Sequence, residues 1–328
     1  MPTHILWRGT LTETLARQVA DTLGESATLH VEKDKGRIAP YLQNITILVD
    51  GSPSDEALDA PKLEHVIVPW AGISAELRDK VLSRPHLSLH NSHYNAPLVA
   101  QHALALLLAC ACRLIESDMA LRKGDWTPRY DANSRSLYLR GRRALLVGYG
   151  AIGMAIARHL KAFEVRLSAL KRQPAEPDAF VDAFYRPHQL QEALAHTDIV
   201  MVSVPSTPET KGMLGASALS RMKPGGIIVN VGRGDVIDQD ALFHALEQGR
   251  LMAAGLDVWW RYPEDAAVRR STLPARLPFH LLPNVILSPH RANEMVEDLE
   301  MRAHDVSLTL QAILRGEARN RVDPHRGY

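Results

Sequence analysis

Cysteine is nearly absent from this 328-residue chain: only Cys110 and Cys112 occur. Their stretch reads as a helix, where a spacing of two turns the side chains to different faces. Neither a disulfide framework nor a zinc-ligand pair is therefore expected, no metal site is called, and both residues read as inert core thiols. Aromatic residues are also scarce, at 5% against 46% hydrophobic overall, so the core must be built from aliphatic side chains. Charge of one sign is not in excess: 38 Lys plus Arg face 37 Asp plus Glu, a formal charge of +1 with no block of like sign. That balance argues against nucleic acid or an anionic membrane as a main partner. The apolar run Ala103 to Ala111 is far short of the roughly 20 residues needed to span a bilayer. Met1 to Trp7 lacks a basic patch followed by an apolar core, the pattern of a signal or transit peptide. A soluble, cytoplasmic protein is expected.

What is present is alternation. Short apolar runs and longer helical patterns follow one another almost throughout, which predicts an α/β fold with mostly parallel sheets covered by helices. Candidate strands in the first hundred residues are Ile5–Trp7, Thr28–Val31, Ile45–Val49, His65–Val68 and Leu87–His90. Pro97 to Arg122 reads as one long helix, with Val99, Ala103, Leu106, Leu107 and Leu114 at helical spacing. A second series of six strands follows: Ala144–Val147, Val165–Leu170, Ile199–Val204, Ile227–Val231, Met252–Leu256 and Val285–Ser288. Glu294 to Leu314 is expected to form a helix that returns to the first domain, and Arg261 to Pro283 an irregular loop. The expected division is 1–96 plus 294–328 as one domain, with 97–293 inserted into it.

Gly148-Tyr149-Gly150-Ala151-Ile152-Gly153 follows the strand Ala144–Val147 and opens a helical pattern. In a dinucleotide-binding turn Gly148 permits the bend, Gly150 lets the backbone approach a pyrophosphate, and Gly153 allows close helix–strand packing. About twenty residues on, where selectivity for NAD needs a carboxylate for the ribose hydroxyl, the chain has Lys171 and Arg172. Two cations there suit a 2′-phosphate, so NADP(H) is the expected cofactor, with NAD(H) still possible.

Two further segments fall at expected strand ends. Arg233, between Gly232 and Gly234, can bind a carboxylate through its planar fork. His290, in Ser288-Pro289-His290, can exchange a proton near neutral pH, as carbonyl reduction requires.

With Val99-Ala100-Gln101-His102, the Gly148 turn, Pro205 to Thr210, Val231 to Gly234, Gly255-Leu256-Asp257-Val258 and Ser288 to His290 in this order, the chain resembles the D-isomer-specific 2-hydroxyacid dehydrogenase family over almost its whole length. Leu170 to Pro174 most resembles the NADPH-using glyoxylate and hydroxypyruvate reductases of that family. The resemblance implies two Rossmann-like or flavodoxin-like domains, the nucleotide-binding one inserted into the substrate domain. It also implies reduction of a small anionic 2-keto acid to the D-2-hydroxy acid. Arg233 would clamp the carboxylate and His290 would donate the proton. Backbone groups at Ala71 and Gly72 would bind substrate, Asp257 would lie near the nicotinamide carboxamide, and Pro205, Thr210 and Val231 would belong to the cofactor site. The substrate would lie between the domains, and the helix after Pro97 would form a homodimer.

One position departs from the family: Tyr262, before Pro263, stands where members commonly carry the Glu that pairs with the histidine. Tyr262 or the nearby Glu264 is the candidate partner of His290. Arg291 is also unusual and is a candidate contact for a second anionic group. Trp259, Trp260 and Tyr262 cluster here, either to shape a pocket or to pack a core. An enzyme acting on phosphite-like or phosphonate anions, and a nucleotide-sensing corepressor-like protein, are the alternatives.

Overall fold

A computed structural model describes residues 2–325; Met1 and 326–328, the extreme ends of the expected first domain, lie outside the described residues. The chain divides into two compact units, Met1–Asn95 with Met295–Tyr328, and Ala96–Glu294.

Among the described residues the first unit holds five parallel strands, β1 (Thr3–Arg8), β2 (Ala27–Glu32), β3 (Ile47–Val49), β4 (His65–Ile67) and β5 (Ser88–His90), in the order β2-β1-β3-β4-β5. Alternate residues of each strand enter opposite faces. Ile5, Trp7, Ile47 and Val49 pack with Val19 and Leu23 and with Ala303, Val306 and Leu310, while Leu6, Leu48 and Val66 pack with Leu58 and Leu77. The helix supplying Ala303 to Leu310 spans Asp298–Leu314 and starts later than Glu294, because 292–297 is turn and coil. Residues 320–322 bridge back to β5, with Val322 N donating to Leu89 O at 2.8 Å.

The second unit has seven parallel strands, β6 (Arg143–Val147), β7 (Arg166–Leu170), β8 (Ala183–Tyr185), β9 (Ile199–Val202), β10 (Gly226–Asn230), β11 (Leu251–Leu256) and β12 (Val285–Leu287), ordered β12-β11-β10-β9-β6-β7-β8. The extra strand, β8, is an edge strand whose Ala-Phe-Tyr residues are only half-buried, so it lacks the aliphatic run that marks the other strands. Ala144, Leu146, Ile199 and Met201 point to one face, against Leu107, Ile156 and Leu160. Leu145, Val147, Val200 and Val202 point to the other, against Leu219, Leu242 and Leu246. A sheet buried on both faces explains the nearly continuous apolar strands.

The long helix expected over Pro97–Arg122 is two helices, Ala96–Ala111 and Leu114–Leu121, bent by 61°. Arg113 breaks the run in the left-handed conformation, φ 49°, and its guanidinium pairs with Glu116 at 2.8 Å. The first helix is a core element, with Ala100, Ala103 and Leu107 wholly buried. The second exposes Leu114, Ile115, Met119 and Leu121. Periodicity ran through the break because both segments are apolar, although only one packs inside the unit. Cys112 falls at the same break and is exposed, so of the two cysteines only Cys110 is a core thiol. Burial pushes the Cys110 thiol up to about 12, which keeps it protonated and unreactive. Among the described residues no single helix is long and apolar enough to cross a membrane.

Candidate active site

In the second unit the strand order reverses between β6 and β9, the position where open α/β sheets form a crevice at their carboxyl ends. Gly148 to Gly153 occupies it. A methyl group on Gly153 would lie 2.2 Å from the Gly148 carbonyl oxygen, so only glycine lets the following helix, Ala151–Ala162, start this close to the turn. Gly150 precedes that helix with no side-chain cap, and a methyl there would meet nothing within 4 Å. Ala151 and Ile152 lie in the helix's first turn, whose amides have no acceptor within the helix. Open space over free donors is the environment a pyrophosphate needs.

Lys171 and Arg172 follow the end of β7, beside this turn in the sheet. Lys171 Nζ lies 5.8 Å over the Phe184 ring. The Tyr149 hydroxyl of the turn donates to Asp178 at 2.7 Å, and Asp178 also accepts the amides of Phe180 and Val181 at 2.8 Å. Burial and this carboxylate push the Tyr149 phenol far above its ordinary value. Tyr149 and Asp178 therefore tie the loop after β7 to the glycine turn.

On the other side, the Thr210 hydroxyl donates to Pro205 O at 2.6 Å and accepts from Thr207 N at 2.8 Å, closing the loop after β9 on itself. Val231, just past β10, is buried in the core. Arg233 sits two residues further on, half-buried; its Nη1 donates to Gly232 O at 2.7 Å, and among the described residues no carboxylate pairs with it. A methyl on Gly234 would lie 2.2 Å from Trp259 O, so glycine is what allows the Arg233 loop to lie against the segment after β11.

That segment begins with Asp257, 1% exposed. Its carboxylate accepts Ser288 Oγ at 2.5 Å, Arg291 N at 2.9 Å and Ala292 N at 3.1 Å. Asp257 thus braces the turn that carries His290, a residue held at φ 55° in the left-handed region. Burial alone would raise the Asp257 carboxyl, but the nearby His102 ring and the hydrogen bonds from Ser288 and the Arg291 amide outweigh it and hold the group below its ordinary value. For His290 the crowding of its surroundings, and next the Arg233 guanidinium, lower the imidazole below its ordinary value, while Asp257 opposes them.

The structure brings Tyr262 to His290 through ring contact: the ring centroids are 5.5 Å apart, tilted by 53°. The phenol oxygen accepts Trp259 N at 3.1 Å. Glu264 is exposed, and among the described residues no hydrogen bond or ion pair involves it. Arg291 is exposed, and its amide is the group that Asp257 holds. The indoles follow the packing alternative. Trp259 is buried with Nε1 donating to Ser288 O at 2.8 Å, and Trp260 stacks on the fully buried Phe279, centroids 5.1 Å apart.

In the first unit, Ala71 and Gly72 lie in the loop after β4. Ala71 O accepts the amide of buried Asn91 at 2.9 Å, and among the described residues neither loop amide donates a hydrogen bond. At the β1–β3 reversal of the same unit is a cavity of about 210 Å³, lined among others by Arg8, Lys33, Asp50, Trp70 and Arg302. The sequence reading named His102 only within the motif Val99 to His102 and gave it no role, although a polar side chain on an otherwise apolar helix face was an available signal. It also missed the bracing roles of Asp178 and Ser288, which pair with partners far along the chain.

The doubly wound sheet and glycine turn define a dinucleotide-binding α/β protein. The pattern of the D-isomer specific 2-hydroxyacid dehydrogenase NAD binding domain matches residues 104–292, and the chain belongs to that family. It is 37% identical over 222 residues to a glyoxylate reductase of Korarchaeum cryptofilum, covering 66% of this chain and 63% of that protein. It is 31% identical to glyoxylate/hydroxypyruvate reductase B of Pectobacterium carotovorum over 268 residues, 81% of this chain and 80% of the other. Among solved structures it resembles an NADPH-dependent glyoxylate/hydroxypyruvate reductase of Sinorhizobium meliloti in complex with NADP and malonate, at 29% identity and TM-score 0.71, covering 100% of this chain and 98% of that one.

Proposed function

We propose that the protein reduces a small 2-keto acid, of the glyoxylate or hydroxypyruvate kind, to the D-2-hydroxy acid with NADPH. The observation that carries this reading is the placement of Arg233 and His290 just beyond the carboxyl ends of β10 and β12, in the sheet that presents the glycine turn at its own carboxyl end. A guanidinium without a carboxylate partner seeks an anion, and a histidine beside it can serve the alcohol oxygen. The names of the relatives, glyoxylate and hydroxypyruvate reductases, support the substrate class.

When bound, the nicotinamide supplies hydride. The chain supplies the rest. Arg233 binds the substrate carboxylate bidentately and polarises the neighbouring carbonyl. His290 then gives its proton to the forming alkoxide. The field of Arg233 disfavours the imidazolium in the free protein. A carboxylate seated on Arg233 cancels that field, so substrate binding itself favours the protonated acid. Asp257 braces the turn on which His290 sits, Tyr262 packs against the ring, and Ala71 and Gly72 offer amides for a carboxylate.

Gly148, Gly150, Ala151, Ile152 and Gly153 would hold the pyrophosphate, and Lys171 and Arg172 a 2′-phosphate. In this reading 97–293 is the nucleotide domain and 1–96 with 294–328 the substrate domain. A second copy of the chain would cover the exposed Leu114, Met119, Leu121, Trp126 and Tyr130. The dimer-forming surface then lies on the second helix and on the segment after it, Trp126 to Tyr130, rather than on the buried helix directly after Pro97.

Turnover of a 2-keto acid panel with NADPH and NADH tests the assignment. Reduction of a small keto acid that disappears in His290→Ala is the expected result. NADPH binding without turnover of any keto acid would favour a sensing protein instead.

A further inference from the structure

His102 has no part in the chemistry above, yet it is built into the same side of the site. It lies on the helix Ala96–Ala111, with Nε2 2.9 Å from Ser288 Oγ and 3.4 Å from Asp257 Oδ1. Ser288 Oγ is 2.5 Å from the same carboxylate oxygen. The protons can be assigned. An ionised carboxylate only accepts, so the single Ser288 proton points at Asp257. The short contact between His102 and Ser288 is then a hydrogen bond only if Nε2 carries the proton and donates it. The order is therefore His102 Nε2–H to Ser288 Oγ–H to Asp257, and Asp257 in turn accepts the amides of the two residues after His290.

We propose that His102 is a positioning residue for His290, acting through Ser288 and Asp257 on the turn 290–292. It rests on the reading of His290 as the proton donor. The turn needs such a brace because His290 sits in the left-handed region at φ 55°, a conformation sparsely populated by residues with a Cβ. With the His102 donor removed, the Ser288 hydroxyl is no longer held in one orientation. Asp257 then loses a fixed donor, and the imidazole loses its set position relative to the reacting carbonyl.

The test uses His102→Leu, His102→Gln and Ser288→Ala in the full chain, with two readouts. Steady-state reduction of the keto acid separates kcat from KM, and NMR titration of the His290 ring without substrate reports on the turn itself. For His102→Leu, kcat is expected to fall about 10- to 100-fold, the range for small misplacements of reacting groups, with KM little changed. The His290 titration should move downward as Asp257 is loosened. His102→Gln, whose amide can donate in place of Nε2–H, should restore both. Ser288→Ala should reproduce the loss, and the double variant should be no worse than either single one, as for residues acting as a unit. A His102→Leu protein with wild-type kcat and an unmoved His290 titration overturns the proposal, whatever its melting temperature, and so do additive losses. If His102→Leu does not fold, His102→Gln and Ser288→Ala decide by the same readouts. Failure of the wild type to reduce any keto acid would overturn the functional reading alone, because the NMR arm requires no turnover.

Discussion

The Tyr262 ring packs against the His290 imidazole at 5.5 Å while its hydroxyl accepts the Trp259 amide, so a phenol orients the histidine by contact and gives it no charge. In Tyr262→Glu a carboxylate would stand beside the imidazole and favour its protonated form. His290 should then stay acidic to higher pH, with the fall of kcat/KM for reduction moved upward by about one unit or more. A pH–rate profile that does not move would show that position 262 does not govern the histidine.

Binding of the substrate anion should take up protons. His290, though solvent-exposed, lies below its ordinary value in the free protein, through the crowding of its surroundings and then Arg233. It is therefore mostly neutral at pH 7. A carboxylate on Arg233 raises it, so part of a proton enters on binding of an unreactive analogue such as oxamate. Calorimetry in buffers of different ionisation heat measures that number, which should vanish in His290→Gln. Proton release on binding would contradict the coupling.

Cofactor choice should follow Lys171 and Arg172. Replacing both with Ala removes up to two charge-assisted contacts to a 2′-phosphate, and kcat/KM with NADPH should fall about 10-fold or more. The value with NADH should stay nearly constant, since NADH has no phosphate there. Equal losses with both cofactors would place the two cations elsewhere.

Gly153→Ala should damage fold and cofactor site together. The added methyl would sit 2.2 Å from the Gly148 carbonyl oxygen, a backbone atom that cannot rotate away. Overpacking of this kind costs about 1–3 kcal/mol. Thermal denaturation should show a lowered Tm, and NADPH fluorescence titration a loss of affinity. An unchanged Tm would mean that the turn can open.

Tyr94 makes the first unit sensitive to alkali. Its hydroxyl donates to Asp298 at 2.6 Å and accepts Arg302 Nε at 3.0 Å; burial, then Asp298, push the phenol up to about 12. Because this value is raised, the unfolded phenol ionises first. The contribution of the group is whole below pH 10 and is lost as pH rises toward 12. Tyr94→Phe should remove that stretch of the pH–stability curve and cost about 1 kcal/mol at neutral pH. A variant with the wild-type alkaline transition would refute this.

Two parallel series of strands, the glycine turn, Arg233 and His290 were legible in the chain because each depends on a local pattern: apolar period, glycine spacing, or a polar residue just past a strand. Edge strand β8 was not, because its Ala-Phe-Tyr residues are only half-buried at the sheet edge and carry no run of branched aliphatic residues. The break at Arg113 was hidden by apolar residues on both sides of it. Cys112, read as a core thiol, proved exposed because it falls at that break.

The few cysteines, balanced charge and lack of long apolar runs, with the ordered motifs, are properties of the sequence alone, and they set the fold class and the family. What the folded chain decided is which groups share a proton or a charge. His102 and Ser288 lie 186 residues apart, and Tyr149 and Asp178 lie 29 apart. Asp257 meets Ser288, 31 residues away, and the amides of the turn after His290. Hydrogen bonds require contact within about 3 Å, and no spacing along the chain encodes which distant side chains will meet there.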